Sequence, residues 1–127
     1  MKPKLKSMGS LKKKAWRVFS EWVRKRGADY RGYNTCCTCG AKAHWKELHA
    51  GHFRHSHSKV TFINEYNVHP QCVKCNHFLS GNLIEYYSFM LKTYGESKVE
   101  DLRRLSKKTW KPSRLELEEI IKKYKET

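Results

Sequence analysis

Four cysteines form two pairs with the spacing of a metal site. Each pair is a C-x-x-C motif, made by Cys36 with Cys39 and by Cys72 with Cys75. In such a motif a tight turn directs two thiolates toward one point, and two turns complete the tetrahedral ligand set of Zn²⁺. Because four thiolates leave no open coordination position, we expect a structural zinc that folds the domain without taking part in catalysis. Buried free cysteines are the alternative interpretation.

The fifth cysteine, Cys37, is not part of this pattern. Its one-residue spacer to Cys39 fits the knuckle geometry poorly, so we predict that it does not bind the metal. The first residues, 1–14, are basic and have no apolar stretch behind them, as a secretion signal would require. We therefore expect a cytoplasmic location in a bacterial host cell and reduced cysteines, which favours metal binding over disulfides.

Histidines and asparagines lie between and beside the cysteine pairs. His49 and His52 come between the pairs, Asn67 precedes the second pair, and Asn76 directly follows Cys75. Hydrolysis of a phosphodiester needs a base that takes a proton from water, and imidazole titrates near neutral pH. It also needs a divalent cation, held by few ligands so that phosphate and water can complete its shell. A zinc ion bound by the two cysteine pairs would bring these positions together. This set of histidines and asparagines therefore indicates a nuclease site.

Three stretches carry a resemblance to a known family. They are AGHF at 50–53, FINEYNVHPQCVKCN at 62–76 and SGN at 80–82. Together they resemble the phage NinG (Rap) recombination nuclease family from about Leu11 to near the C-terminus. The resemblance implies a role in phage recombination, where branched DNA such as Holliday junctions and D-loops is cut. A broader similarity is to phage endonuclease VII and the HNH, or ββα-metal, superfamily.

The resemblance also implies roles for individual residues. It makes His52 the general base, Asn76 a ligand of the catalytic metal, and Asn67 the residue that ties the ββα loop together. Many HNH nucleases carry an aspartate ligand immediately before the base, whereas this sequence has Gly51. His49 is the candidate replacement, and an imidazole ligand tolerates Mn²⁺. We therefore predict Mg²⁺ or Mn²⁺ as the catalytic ion, held by Asn76 and His49.

The composition favours a polyanionic partner. The 127 residues include 27 Lys and Arg against 12 Asp and Glu, a formal net charge of +15. Nucleic acid is the commonest partner of so basic a domain. No apolar run approaches the ~20 residues that span a bilayer, so we expect branched or duplex DNA as partner and no membrane. The expected DNA contacts are Lys12, Lys13, Lys14, Arg17, Arg24, Arg54, Lys59, Arg103 and Arg104.

The elements that must position these groups are short. We predict an α+β fold, with a small zinc-stapled ββα (HNH) core over about 34–82, an N-terminal helix and a C-terminal helical part over about 83–127. Residues 1–14 are expected to form a flexible basic arm, and residues 15–127 a single nuclease domain. The predicted elements are a helix over 15–26, hairpin strands at 46–52 and 59–62, a helix from 73 toward 79, a helix over 83–94, and two helices opened by the capping boxes Ser97 with Glu100 and Ser113 with Glu116.

Two other functions fit the same sequence. One is a non-catalytic zinc-knuckle DNA-binding module, and the other is a general HNH nuclease without branch preference. Most single histidines in proteins are surface or satisfied core residues, and we interpret five in that way: His44, His55, His57, His69 and His77. Because resolving a four-way junction takes two cuts, the family analogy also predicts a homodimer, with phage recombination proteins as candidate partners.

Overall fold

The structure is a computed structural model that describes residues 5–125, and it has the mixed helix and sheet architecture that the sequence predicts. The elements are α1 (Met8–Lys25), β1 (Tyr33–Thr35), β2 (Lys42–His44), β3 (His49–His52), β4 (Val68–Gln71), α2 (Leu83–Tyr94), α3 (Glu96–Leu105) and α4 (Arg114–Lys125). A 3₁₀ turn at Trp45–Glu47 leads into β3, and a π-helical turn at Lys74–Phe78 follows β4. Between residues 5 and 125, none of the helices is both long and apolar enough to span a membrane.

The helix α1 begins earlier than the sequence predicts. Ser7 caps it, because its hydroxyl accepts a hydrogen bond from the Ser10 backbone nitrogen at 3.1 Å. The helix buries Leu11 among the side chains of α4, four residues before the buried Ala15. The structure differs from the flexible arm predicted over residues 1–14, because residues 8–14 are helical and Leu11 is buried. Residues 1–4 lie outside the described part of the chain.

Two antiparallel strand pairs make up the sheet structure. β1 pairs with β2, and β3 pairs with β4 in a register that places His49 opposite Gln71 and His52 opposite Val68. The predicted hairpin between 46–52 and 59–62 is therefore wrong in two respects. The first stretch begins with a helical turn, and the second forms turns rather than a strand. The partner of β3 comes later in the chain, directly before the second cysteine pair.

Pro70 explains why β4 is hard to recognise as a strand. Proline cannot donate to a strand ladder, so it fits only where its nitrogen faces away from the partner strand. In this structure Pro70 lies opposite Ala50, and its carbonyl turns away from β3 to accept a hydrogen bond from the Cys37 nitrogen at 2.9 Å. That bond joins the end of β1 to β4 and thereby brings the two cysteine pairs together.

The helices after the second cysteine pair agree closely with prediction. α2 spans the predicted residues and ends at Gly95, whose φ of 89° favours glycine. α4 starts after Ser113, whose hydroxyl accepts a hydrogen bond from the Glu116 nitrogen at 3.1 Å, as the capping box predicts. The other capping box is wrong in detail, since α3 already begins at Glu96 and Gly95 takes the N-cap position expected for Ser97.

Two groups of buried side chains hold the β3–β4 pair in place. On one side, α1 and α4 pack on β4 through Leu11, Ala15, Phe19, Val23, Val68, Leu117, Ile121 and Tyr124. On the other side, Phe53, which directly follows β3, packs among residues of α2 and α3: Tyr86, Met90, Val99 and Leu102. Burying a large apolar side chain contributes roughly 1.5–3 kcal/mol. The strands that carry the predicted site are thus fixed from both faces.

Candidate metal centre and catalytic cleft

The four cysteines of the two C-x-x-C pairs meet at one point. The sulfurs of Cys36, Cys39, Cys72 and Cys75 all lie within 4.8 Å of one another, and the Cys39 and Cys72 sulfurs are 3.6 Å apart. Four sulfurs at the usual Zn–S distance would stand about 3.8 Å apart around a tetrahedral ion. The cluster is therefore positioned to bind one metal ion, and a set of four thiolates is typical of structural zinc.

Backbone hydrogen bonds close the two turns that present these sulfurs. In the first turn the Cys36 nitrogen donates to the Ala41 carbonyl at 2.8 Å, and the Gly40 nitrogen donates to the Cys36 carbonyl at 3.0 Å. In the second turn the Asn76 nitrogen donates to the Cys72 carbonyl at 3.0 Å. Asn76 therefore belongs to the same rigid turn as two metal ligands.

The thiols differ in their environment. Burial raises the pKa of Cys36, but hydrogen bonds from the Thr38 hydroxyl and from backbone groups outweigh it and lower that pKa to about 6. The Thr38 hydroxyl lies 3.2 Å from the Cys36 sulfur. Cys37 is outside the cluster, and burial, its main perturbation, raises the pKa of its thiol far above the ordinary value. Cys37 is thus a neutral, half-buried thiol.

His52 packs against two aromatic rings that also stack on each other, with 4.8 Å between the ring centroids of Trp16 and Phe62. Its imidazole stacks on Trp16 of α1, with 4.9 Å between ring centroids, and on Phe62 at 5.3 Å. Its Nε2 lies 2.9 Å from the Phe62 carbonyl. Because a carbonyl can only accept, this bond assigns the ring proton to Nε2 and leaves the lone pair on Nδ1.

Burial also sets the protonation state of His52. The pKa of the ring is lowered, mainly because burial disfavours the imidazolium, and the bond to the Phe62 carbonyl only partly offsets this. A histidine with a lowered pKa is neutral near pH 7. His52 can therefore accept a proton at Nδ1 under physiological conditions, which is what a general base must do.

Asn67 ties together the loop that supplies Phe62. The residue is fully buried and directly precedes β4. Its side-chain oxygen accepts from the Arg54 nitrogen at 2.9 Å. Its amide nitrogen faces three acceptors: the Arg54 carbonyl at 3.1 Å, the Ser56 hydroxyl at 3.0 Å and the Thr61 carbonyl at 3.0 Å. One side chain thus connects both ends of the segment between β3 and β4.

His49 and Asn76 are in direct contact beside His52. The Nδ1 atom of His49 lies 3.0 Å from the side-chain nitrogen of Asn76. A cleft of about 300 Å³ is lined by His52, His55, Asn76, Ser80, Gly81 and Leu83. A neighbouring cleft of about 350 Å³ is lined by His49 and Asn76, with Arg24 and Lys46 at its rim. The structure therefore brings His49, His52 and Asn76 to one region, where Asn76 belongs to both clefts.

Gln71 occupies the space next to Gly51, and the sequence did not single it out. A Cβ atom at position 51 would overlap the side-chain oxygen of Gln71, so an aspartate does not fit there beside the glutamine. Gln71 is fully buried, and its amide nitrogen donates to the Gly81 carbonyl at 2.9 Å and to the Thr38 hydroxyl at 3.2 Å. The only available signal was a polar residue directly before Cys72.

The predicted DNA contacts fall into two groups relative to the clefts. Lys12 and Lys13 line a groove with Phe62, next to the ring stack on His52, and Arg24 borders the cleft of His49 and Asn76. These cations line two grooves that adjoin the candidate site and share Trp16. Lys14 and Arg17 line a separate groove toward α4.

Three of the four remaining predicted contacts have side-chain partners within the protein. Arg103 and Arg104 lie on the exposed face of α3, where they pair with Glu100 and Asp101. The Nε atom of Arg54 donates to the Ser106 hydroxyl at 3.4 Å. The backbone of Lys59 forms an isolated bridge with Thr109. Part of the charge of α3 is thus neutralised locally.

The chain matches a phage protein family along its full length and individual phage proteins over part of it. A family model described as Bacteriophage Lambda NinG protein matches residues 1–127. Protein ninG of Escherichia phage lambda is 32% identical over 93 residues, which cover 71% of this chain and 42% of the relative. Protein ninG of Salmonella phage P22 is 31% identical over 93 residues, with 71% and 42% covered.

This chain spans less than half the length of these curated relatives, and no solved structure gives a significant match. Because the family model covers every residue from 1 to 127, the chain belongs to the NinG family.

Proposed function

We propose that the chain is a metal-dependent DNA endonuclease with an HNH-type ββα core, which acts on branched recombination intermediates such as Holliday junctions and D-loops. The observation that carries the proposal is the shared cleft of His52 and Asn76. There a neutral imidazole with a free Nδ1 lone pair meets a carboxamide fixed by the metal-binding turn. The ββα core would consist of β3, β4 and the turn that carries Asn76.

In the proposed reaction, Nδ1 of His52 takes a proton from a water molecule. The resulting hydroxide attacks the phosphorus, the bond to the 3′ oxygen breaks, and the departing oxygen gains a proton from solvent. The products are a 5′-phosphate and a 3′-hydroxyl end, and His52 returns its proton to solvent. The bond from Nε2 to the Phe62 carbonyl keeps the ring in the required tautomer and orientation.

His49 and Asn76 are the residues that would hold the divalent ion. Their side chains are in contact through the Asn76 nitrogen, and turning that amide would set its oxygen beside the Nδ1 lone pair of His49, a ligand set that Mn²⁺ and Mg²⁺ accept. When bound, such an ion supplies positive charge that stabilises the phosphate and the departing 3′ oxygen. The zinc at the cysteine cluster would keep Asn76 in place without contacting the substrate.

The basic side chains support DNA as the substrate. Lys12 and Lys13 on one side of His52, and Arg24 with Lys46 on the other, would contact the phosphates on either side of the cut. Each phosphate that the protein neutralises adds about 0.9 to the slope of log K against log salt. Binding is therefore expected to weaken steeply as salt rises.

The preference for branched DNA rests on the family resemblance. Resolving a four-way junction takes two cuts, so we propose that two copies act together, with phage recombination proteins as candidate partners in the host cytoplasm. Apolar side chains are exposed beside the cleft and could serve such an assembly: Phe78, Leu79, Leu83, Ile84 and Tyr87.

A substrate panel tests the proposal. End-labelled four-way junction, D-loop and linear duplex are incubated with zinc-loaded protein in Mg²⁺ or Mn²⁺. We expect metal-dependent cuts in the branched substrates and little cutting of the duplex. Equal cutting of all three would favour a general HNH nuclease. Binding to the junction without any nick would favour a zinc-knuckle binding module.

Two variants make the panel specific to the cleft. We expect Asn76→Ala to need a higher concentration of divalent ion for half-maximal cutting, because it removes an ion ligand. Ser80→Ala alters a side chain of the same cleft that has no assigned role, so it should behave as the wild type.

A further inference from the structure

The side-chain oxygen of Gln71 is buried without a partner. Within residues 5–125 it is the one buried side-chain nitrogen or oxygen that lacks a hydrogen bond. An unpartnered buried carbonyl costs free energy, so structures rarely keep one without a reason such as an ion that is not shown. Such an atom is therefore a candidate ligand.

The orientation of the Gln71 amide is fixed by its neighbours. Its nitrogen donates to the Gly81 carbonyl at 2.9 Å, and that carbonyl can only accept. Turning the amide around would place two oxygens against each other. The unpartnered atom is therefore the oxygen, and it points toward Gly51 on β3.

That position lies on the face of the strand pair that carries the candidate ion ligands. Gln71 sits directly opposite His49 across β3 and β4, so the two side chains leave the same face of the pair. His49 contacts Asn76, and Gly81, the partner of the Gln71 amide nitrogen, lines the cleft of His52 and Asn76.

We propose that Gln71 supplies its side-chain oxygen as a ligand to the divalent ion, in place of the side chain that Gly51 lacks. This inference rests on the proposed function, because the ion is the one held by His49 and Asn76. The glycine is then required, since any side chain at position 51 would displace the Gln71 oxygen. The ligand set has no charge of its own, so we expect weak binding of the free ion and a preference for Mn²⁺ over Mg²⁺.

Binding of Mn²⁺, measured by electron paramagnetic resonance on the zinc-loaded full chain, tests the proposal without any need for cleavage. We expect one site in the wild type, and Gln71→Ala to bind Mn²⁺ at least about tenfold more weakly. Ser80→Ala alters a side chain of the cleft of His52 and Asn76 that has no assigned role, and should bind Mn²⁺ as the wild type does.

A double substitution gives the sharpest outcome. Gly51→Asp alone should unfold more easily because its side chain overlaps Gln71. Combined with Gln71→Ala, the aspartate gains the vacated space and should restore Mn²⁺ binding to at least the wild-type level. Zinc content and thermal melting of each variant show that the fold is intact.

The outcomes separate this inference from the proposed function. Unchanged Mn²⁺ affinity in Gln71→Ala, no recovery of Mn²⁺ binding in the folded double variant with Gly51→Asp, or no Mn²⁺ site in the wild type would each overturn the role of Gln71. If Gln71→Ala lost the Mn²⁺ site while the wild type cut no DNA, the ligand would stand and the nuclease proposal would fail.

Discussion

Replacing Asn67 by alanine should weaken the fold and release the loop that orients His52. The Asn67 side chain accepts one hydrogen bond and offers two amide hydrogens to three acceptors, all in a fully buried position. Three full-strength bonds at a net value of about 1 kcal/mol each predict a loss of about 3 kcal/mol in the free energy of unfolding. Because the loop carries the Phe62 carbonyl, the cutting rate should also fall.

The measurement is denaturant unfolding of the zinc-saturated protein, together with amide hydrogen exchange across residues 54–61. Asn64→Ala is a matched control, since its side chain accepts hydrogen bonds only from the Tyr66 and Asn67 nitrogens within one turn. Because the Asn67 nitrogen also donates to the Asn64 carbonyl at 3.0 Å, it keeps a partner in the control, and we expect the control to lose about 1 kcal/mol. Equal losses in the two variants, or unchanged exchange in the loop of Asn67→Ala, would refute the reasoning.

Three further predictions follow from the sites. Cys72→Ser should lose zinc and fold poorly, whereas Cys37→Ser, which alters a thiol outside the cluster, should keep its zinc by metal analysis. The acid limb of kcat/KM should lie below pH 6.5, because burial lowers the pKa of His52 and a general base must be neutral. Burial also lowers the pKa of His69 from 6.5 to about 3, so the unfolded chain binds a proton that the folded chain excludes. The free energy of unfolding is therefore unaffected by this group above pH 6.5, and it falls by about 1.4 kcal/mol per pH unit as pH drops from 6.5 toward 3. Unfolding curves of His69→Phe should lack this contribution to the slope.

The features that the sequence predicts well depend on local spacing. The cysteine cluster follows from two C-x-x-C turns, and the bounds of α2 follow from its apolar face and Gly95. Asn76 could be placed near the cluster because it directly follows Cys75. In each case the residues that decide the outcome are close together in the chain, so one short pattern contains the whole physical cause.

The features that the sequence did not predict depend on contacts between distant residues. The partner of β3 is misplaced because Pro70 interrupts a strand pattern, and only the paired strands show that Pro70 faces away from β3, with its carbonyl bound by the Cys37 nitrogen. The early start of α1 was missed because its lysines resemble a solvated arm, although Leu11 continues the buried stripe of the helix. The contact between Gln71 and Gly51 can be recognised only when β3 and β4 are paired.

The most direct test of the nuclease account is single-turnover cutting of a labelled four-way junction by His52→Ala, measured beside junction binding. The account predicts a rate loss of about 10²–10⁴-fold, the usual contribution of a general base, with a nearly unchanged Kd. His55→Ala, which alters an exposed histidine of the same cleft, should cut close to the wild-type rate. Cutting by His52→Ala at the wild-type rate would contradict the account.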